Sequence, residues 1–509
     1  MRNGRLVVRG RIRPMDRPDH VESWMLVEEG RVSGLGVGAP PGSSDSEVLD
    51  LGGATILPVL HDCHVHFLQT GLMELDADLG QARCFDDMMH ALAEAARARS
   101  GGILRAHSFD PDLMSDGRYP SMAELDAVSP GTPLYVKRRD GHSSIVNSPA
   151  WALLGVPETT SGIELDDAGR PTGTLREDAH TFAVRKVESY LTREERIECF
   201  HRAAALAASR GIGVVHALAG SKAPENRDIE LLLEVRDALP VDTIVYSQVE
   251  DVERVAGLGL PRIGGCLLLD GSFSSGTAAL AEPYADRPGR GVLYYGDEHL
   301  TSFFTNAHSR GLQISVHALG ERAIDQAIRC YTDACGDEIR DARHRIEHCE
   351  LPSPKHVADI RALGISPCVQ PTFEFLWGGP GGMIEKRLGR ERAARTNPHR
   401  TMLKEGIPLA GGSDSYVTSM DSLLGIHSAV NRPNAAERLS VFDAIGLFTS
   451  GAARISFDES RRGTLEPGKD ASFTVLERDP FDVPEDEIRD IEVTGLFMKG
   501  ERVPVPQAQ

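Results

Sequence analysis

The stretch Leu60–Phe67, LHDCHVHF, follows the apolar run ILPVL at residues 56–60 and carries two histidines, His64 and His66, one residue apart. Apolar residues leading into this pattern predict a strand. In a strand successive side chains alternate faces, so His64 and His66 share one face and Val65 takes the other. Two imidazoles so placed can grip one metal ion. An H-x-H pair recurs by chance, so its weight comes from three later segments. In ISVHALGERAID (residues 314–325) His317 ends an apolar strand just before a helix; in RHRIEHCE (343–350) His348 ends another; in IPLAGGSDS (407–415) Asp414 closes a third. Each polar group stands at the carboxyl end of a short apolar strand, which is where parallel α/β barrels carry their chemistry.

Working outward, strand candidates recur with helix-like or loop-rich segments between them: GIGVVHA, DTIVYSQ, GGCLLLDG, LQISVHA, HRIEHC, GISPCVQP and IPLAGGSD, eight with the His64 strand. This alternation predicts a (β/α)8 barrel in the α/β class. Residues 1–57 and 456–509 read as short strands with Gly-marked turns and predict one small β-sandwich built from both termini. The barrel's first strand then lies at 58–67, an inserted subdomain at 68–210 and the rest of the barrel at 211–455. The insertion ends in a helix opened by Thr192 and Glu195, spaced as a capping box, with Gly211 at its close.

Composition narrows the function. The 509 residues are 41% hydrophobic and 26% charged, those of an ordinary globular chain able to bury a large core. Lys and Arg number 55 against 75 Asp and Glu, a formal charge of −20 with no basic block, which argues against a nucleic-acid partner. No window approaches ~18 uninterrupted apolar residues, and the start MRNGRLVVRG lacks the apolar core of a signal peptide, so the reading is cytoplasmic, with no membrane span. The eight cysteines are scattered without a C-x-x-C pair, as expected of reduced thiols. A small-molecule substrate is the expected partner, with a homodimer as the candidate assembly.

Taken together, LPVLHDCHVHF, RRDGHSSIVNSPAWALLGV, GRPTGTLRE, LLLDGSFSSGTAAL, ISVHALGERAID, HRIEHCEL, VQP, GGSDS and GTLEPGKDASFTVL resemble the amidohydrolase superfamily. The likeness is to the amidohydrolase-3 group that holds the YtcJ-like proteins and N-substituted formamide deformylases, over nearly the full length. The resemblance implies one or two divalent ions, zinc foremost, held by His64, His66, His317, His348 and Asp414. It implies hydrolysis of a non-peptide C–N bond, in an N-acyl or N-formyl amide or a cyclic amide, by metal-activated water. Asp414 is the implied general base and acid, and His348 and His142 complete the catalytic set. Asp270 and His142 are carried over as substrate contacts; Phe373 and Trp377, on an aromatic loop followed by a Gly-rich run, are candidates to cover an apolar group as a lid.

The sequence also departs from the pattern. Many relatives carry, four residues before the Asp-Gly of the fourth strand, a lysine that is carboxylated and bridges two ions; here that position is Cys266. A mononuclear site, a thiolate ligand to a second ion and a degenerate centre all remain open, beside a plain buried cysteine. Glu177 is a candidate to supply the missing negative charge, or else an exposed acid at a helix start. Where relatives often have Arg after Asp-Gly, this chain has Gly276. His216 reads as a support to the ligands, His61 as structural and Asp62 as a brace. A mononuclear deaminase of an aminated heterocycle and a non-catalytic binding protein on a decayed barrel are the competing functions.

Overall fold

Eight strands run parallel in one sheet, each hydrogen-bonded to the next in chain order: β1 Leu60–His66, β2 Ile212–Ala219, β3 Asp242–Ser247, β4 Arg262–Leu268, β5 Gln313–Ala318, β6 Arg345–His348, β7 Ser366–Val369 and β8 Ala410–Gly411. The computed structural model describes residues 5–40, 46–98, 101–115, 117–139, 141, 143–221 and 226–504. The expected barrel is present, and every strand overlaps a segment picked out by its apolar run, with β2 running two residues past its segment and β4 starting two residues before its own. β2 and β5 are buried along their whole length, as strands are when one face lines a barrel and the other meets helices. The helix Glu321–Cys335 supplies such a cover, burying Ala323, Ile324, Ala327, Ile328 and Tyr331 at helical spacing.

β8 has only two residues, so the ring closes on the backbone just beyond it. The Asp414 N–H donates to the His64 carbonyl at 2.9 Å, the His66 N–H donates to the Ser415 carbonyl at 2.8 Å, and Val65 bridges Ser415 in parallel. The seam of the barrel therefore runs through three of the expected ligands.

Both termini join one seven-stranded sheet, separate from the barrel. Its order is Glu501–Arg502, Val493–Met498, Phe473–Leu476, Glu47–Pro58, Arg5–Ile12, Glu22–Glu28, Arg31–Gly36. Val8, Met25, Val27, Ile56, Phe473 and Phe497 form its core. The strand Glu47–Pro58 leads into β1 with only Val59 between them, so this sheet is tied directly to the strand that carries His64.

Residues 68–202 form a second compact unit, and residues 1–67 with 203–509 form the first. The second unit holds a six-stranded sheet in the order Ile163–Leu165, Pro171–Arg176, Ser143–Val146, Leu134–Arg138, Leu104–Phe109, Ala77–Asp78. Thr192 and Glu195 do cap the helix Arg193–Ser209: the Glu195 N–H donates to Thr192 Oγ1 at 3.1 Å, and the Thr192 N–H donates to Glu195 Oε2 at 3.0 Å. The division between units falls inside this helix. Among the described residues no helix is long and apolar enough to cross a membrane.

Candidate metal centre

His64 and His66 leave β1 side by side, their rings edge to face at 5.6 Å between centroids. Each Nε2 lies 3.2 Å from Asp414 Oδ1. Such an approach needs glycine in the facing chain, because a Cβ on Gly412 would stand 2.6 Å from the His64 backbone nitrogen and 2.7 Å from its Cβ. Asp62 braces the same seam, its Oδ1 accepting from the Ser413 N–H at 2.9 Å and the His64 N–H at 3.3 Å, while burial pushes its carboxyl up to about 6.

His348 reaches the cluster by a different route. Strand alternation sends Glu347 and His348 to opposite faces of β6, yet Glu347 bonds His64 and the His348 ring lies 4.9 Å from His64 and 4.5 Å from His317. The backbone reconciles the two: His348 has φ 69° and Cys349 φ 50°, left-handed values that turn the strand end back toward the barrel axis. Asp414 has φ 56°. Non-glycine residues adopt this region at a cost, and they gather at functional sites.

The second nitrogen of each ring settles which nitrogen is free. His64 Nδ1–H donates to Glu347 Oε2 at 2.5 Å, His317 Nε2–H to the Gly271 carbonyl at 3.1 Å, and His348 Nδ1–H to Gln370 Oε1 at 2.7 Å. These partners accept hydrogen bonds, so the lone pairs stand at His64 Nε2, His317 Nδ1 and His348 Nε2. All three face inward. Cys266 Sγ lies 3.6 Å from His317 Nδ1 and 3.9 Å from His348 Nε2. Three overlapping sets, His64–His66–Cys266, Cys266–His317–His348 and His64–His348–Asp414, each keep their ligand atoms within 4.8 Å of one another.

These donors fit a divalent cation. His64 Nε2 and Asp414 Oδ1 are buried and face each other at 3.2 Å, with His66 Nε2 at the same distance from the carboxylate, and outside this group neither atom has a hydrogen-bond partner. Two opposed lone pairs out of water are costly unless positive charge lies between them. Burial pushes the Asp414 carboxyl up, but His64 and His66 outweigh it and hold the group well below its ordinary value. Burial likewise raises the Cys266 thiol, and His64, His317 and His348 pull it well below.

Comparisons with known proteins identify the family. The sequence profile described as "Amidohydrolase family" matches residues 47–504. The chain belongs to the amidohydrolase family. It is 27% identical to the putative amidohydrolase YtcJ of Bacillus subtilis over 523 residues, covering 96% of this chain and 97% of that one. It is 24% identical to the N-substituted formamide deformylase of Arthrobacter pascens, covering 97% of each. A solved structure of an uncharacterized metal-dependent hydrolase from Pyrococcus horikoshii superposes with a TM-score of 0.80 at 25% identity, covering 94% of this chain and 99% of that one.

Within this amidohydrolase site several expectations need revision. Asp270 is fully committed: Oδ1 accepts from the Leu319 N–H at 3.0 Å and Oδ2 from the Ala279 and Gly320 N–H groups at 2.7 and 2.9 Å. It braces the loops that follow β4 and β5, and its Oδ1 also lies 3.6 Å from His317 Nε2. Phe373 and Trp377 lie on a helix, Pro371–Trp377, and not on a flexible lid loop. The Phe373 ring stacks on His348 at 6.0 Å and meets Trp377 at 5.0 Å, so it backs the His348 ring. Glu177 is an exposed residue opening the helix Glu177–Ser189 of the second unit and belongs to none of the ligand groups. His142 lies outside the described residues. At Gly276 the space is taken: a Cβ there would meet Arg287 Nη1 at 2.6 Å, so a guanidinium from further along the chain covers the position.

Glu347, Arg345 and Gln370 went unremarked from the sequence although the segments holding them were in view. One signal was available: in RIEH, opposite charges two residues apart interrupt a strand that should be apolar. His216 and His61 are fully buried, with rings 5.9 Å apart. His216 Nδ1 accepts from Arg345 Nη1 at 3.1 Å.

Proposed function

We propose that the protein hydrolyses a non-peptide C–N bond in a small molecule, an N-acyl or N-formyl amide or a cyclic amide. The observation that carries this reading is the buried, unpartnered pair of His64 Nε2 and Asp414 Oδ1, with the free nitrogens of His317 and His348 and the Cys266 sulfur aimed at the same space. His64, His66, His317, His348 and Asp414 would hold a divalent ion, zinc foremost, and Cys266 would add a thiolate to the set. When bound, such an ion supplies an electrophile for the substrate carbonyl and lowers the pKa of water.

The remaining chemistry belongs to the chain. Asp414 stays ionised beside the imidazoles, so it can accept the proton of the attacking water at Oδ1 or Oδ2 and return it to the departing nitrogen. Without that protonation an amine leaves poorly. His348 is clamped between Gln370 and the Phe373 ring, which fixes the direction of its Nε2. The relative that acts on N-substituted formamides supports an amide of this kind.

The test is a panel of N-substituted formamides, N-acyl amino acids and aminated heterocycles offered to the zinc-loaded protein. Release of acid and amine in equal amounts is the expected result. Ammonia without acid would replace the reading with deamination, and loss of turnover on chelation is expected in either case. A protein that retains under about 0.2 equivalents of metal and cleaves nothing would be a decayed barrel.

A further inference from the structure

The three ligand histidines with a defined second hydrogen bond are not equivalent. His317 donates to the Gly271 carbonyl, with the Asp270 carboxylate beyond hydrogen-bond reach at 3.6 Å from the same nitrogen, and His348 donates to a side-chain amide, whereas His64 donates directly to a carboxylate, Glu347 Oε2. An anionic acceptor draws the proton more strongly than a neutral one and leaves the far nitrogen richer in electron density. Glu347 in turn has no freedom. Its Oε1 accepts from Arg345 Nε at 2.8 Å and from Ser315 Oγ, and its Oε2 accepts from Arg345 Nη2 at 2.8 Å. Arg345 is clamped as well: Nη2 also donates to the Cys63 carbonyl at 2.9 Å, Nη1 donates to His216 Nδ1, and the guanidinium carbon sits 4.2 Å over the Tyr246 ring. Arg345, Glu347, His64 and His216 are all fully buried.

We propose that Glu347, locked by Arg345, is a positioning residue that sets the direction and strength with which His64 Nε2 binds the ion. Arg345 cancels the carboxylate's charge, so the pair delivers a strong, fixed hydrogen bond without adding net charge to the site. The charge facing the ion is then set by Asp414 and Cys266. A plain core ion pair would hold the barrel together equally well in this place, but it would have no effect on metal affinity once the fold is intact.

The inference rests on the metal-dependent reading above, and one set of measurements on the full chain separates the two. Zinc affinity is measured by chelator competition, alongside the exchange-protected His64 Nδ1–H proton resonance and the thermal transition of the metal-free protein. Glu347→Gln keeps an acceptor for His64 but not the charge; zinc binding should weaken about 10- to 100-fold and the resonance move upfield. Because this variant leaves Arg345 buried without its partner, the double variant Arg345→Met with Glu347→Gln is measured beside it, and the same weakening is expected. If either variant folds and binds zinc within twofold of the parent, with the resonance unmoved, Glu347 only supports the core and the inference fails. If the parent itself binds no zinc, cobalt or manganese, the metal-dependent reading falls and takes this one with it.

Discussion

Two histidine–cysteine clusters lie at opposite ends of the barrel strands, and donor count and spacing alone do not tell them apart. One is the group at the strands' carboxyl ends around Cys266. The other is His308, Cys335 and His344, which precede β5 and β6 and likewise keep three ligand atoms within 4.8 Å. The difference is which nitrogen is free. His344 Nδ1 already accepts from the Ile314 N–H at 3.0 Å, so its Nε2 carries the proton, facing His308 Nδ1 at 3.2 Å and Cys335 Sγ at 3.4 Å. A nitrogen that donates cannot ligate. Burial also pushes the Cys335 thiol up to about 12, whereas the Cys266 thiol is pulled well below its ordinary value. Similar residue types thus leave free donor atoms facing one space at one end and form a hydrogen-bonded core at the other. This matches the general division of such barrels into a reactive and a structural face.

The sharpest way to break the comparison is Asp414→Asn. The amide keeps a neutral oxygen near His64 and His66 but cannot take a proton, so metal content should persist while turnover falls about 10²- to 10⁴-fold. Metal analysis and steady-state rates on the same sample check this. A variant within a few-fold of the parent rate would remove Asp414 from the proton path.

Next in size is a pair of substitutions, one in each cluster. Cys266→Ser should weaken metal binding at least about tenfold, since it removes a candidate ligand and not merely a ligand's support. Cys335→Ser should leave metal content and rate unchanged. Equal metal loss in both variants, or none in either, would erase the distinction drawn between the two thiols.

That distinction also marks how far the chain can be read without coordinates. Parallel strands buried on both faces leave continuous apolar runs, so GIGVVHA, LQISVHA and IPLAGGSD announced themselves, and with them the strand ends where His317 and Asp414 stand. The inward turn of His348 was out of reach, because alternation gives Glu347 and His348 opposite faces and only the left-handed φ at His348 overturns that. The partners Glu347 and Gln370 are set by contacts across the barrel, between residues far apart in the chain. The helix Pro371–Trp377 was hidden by the Gly-rich run after it, which suggested a loop, although Pro371 at its first position is a common helix opening. The partners of Asp270 were equally out of reach: three backbone N–H groups from two other segments.

The smallest expected effect comes from His344→Phe, and it sharpens the contrast from the other side. Tyr331 stacks on the His344 ring at 5.0 Å with 17° between planes, so phenylalanine preserves the packing surface. What it removes is the acceptor for the Ile314 N–H, which is left buried without a partner at a cost of about 1–3 kcal/mol. Denaturant unfolding should therefore show a loss of that size, with metal content and turnover equal to the parent's. A drop in bound metal would mean that His344 Nε2 does ligate, that its proton lies elsewhere, and that the hydrogen bond from Ile314 does not set the chemistry of this end of the barrel.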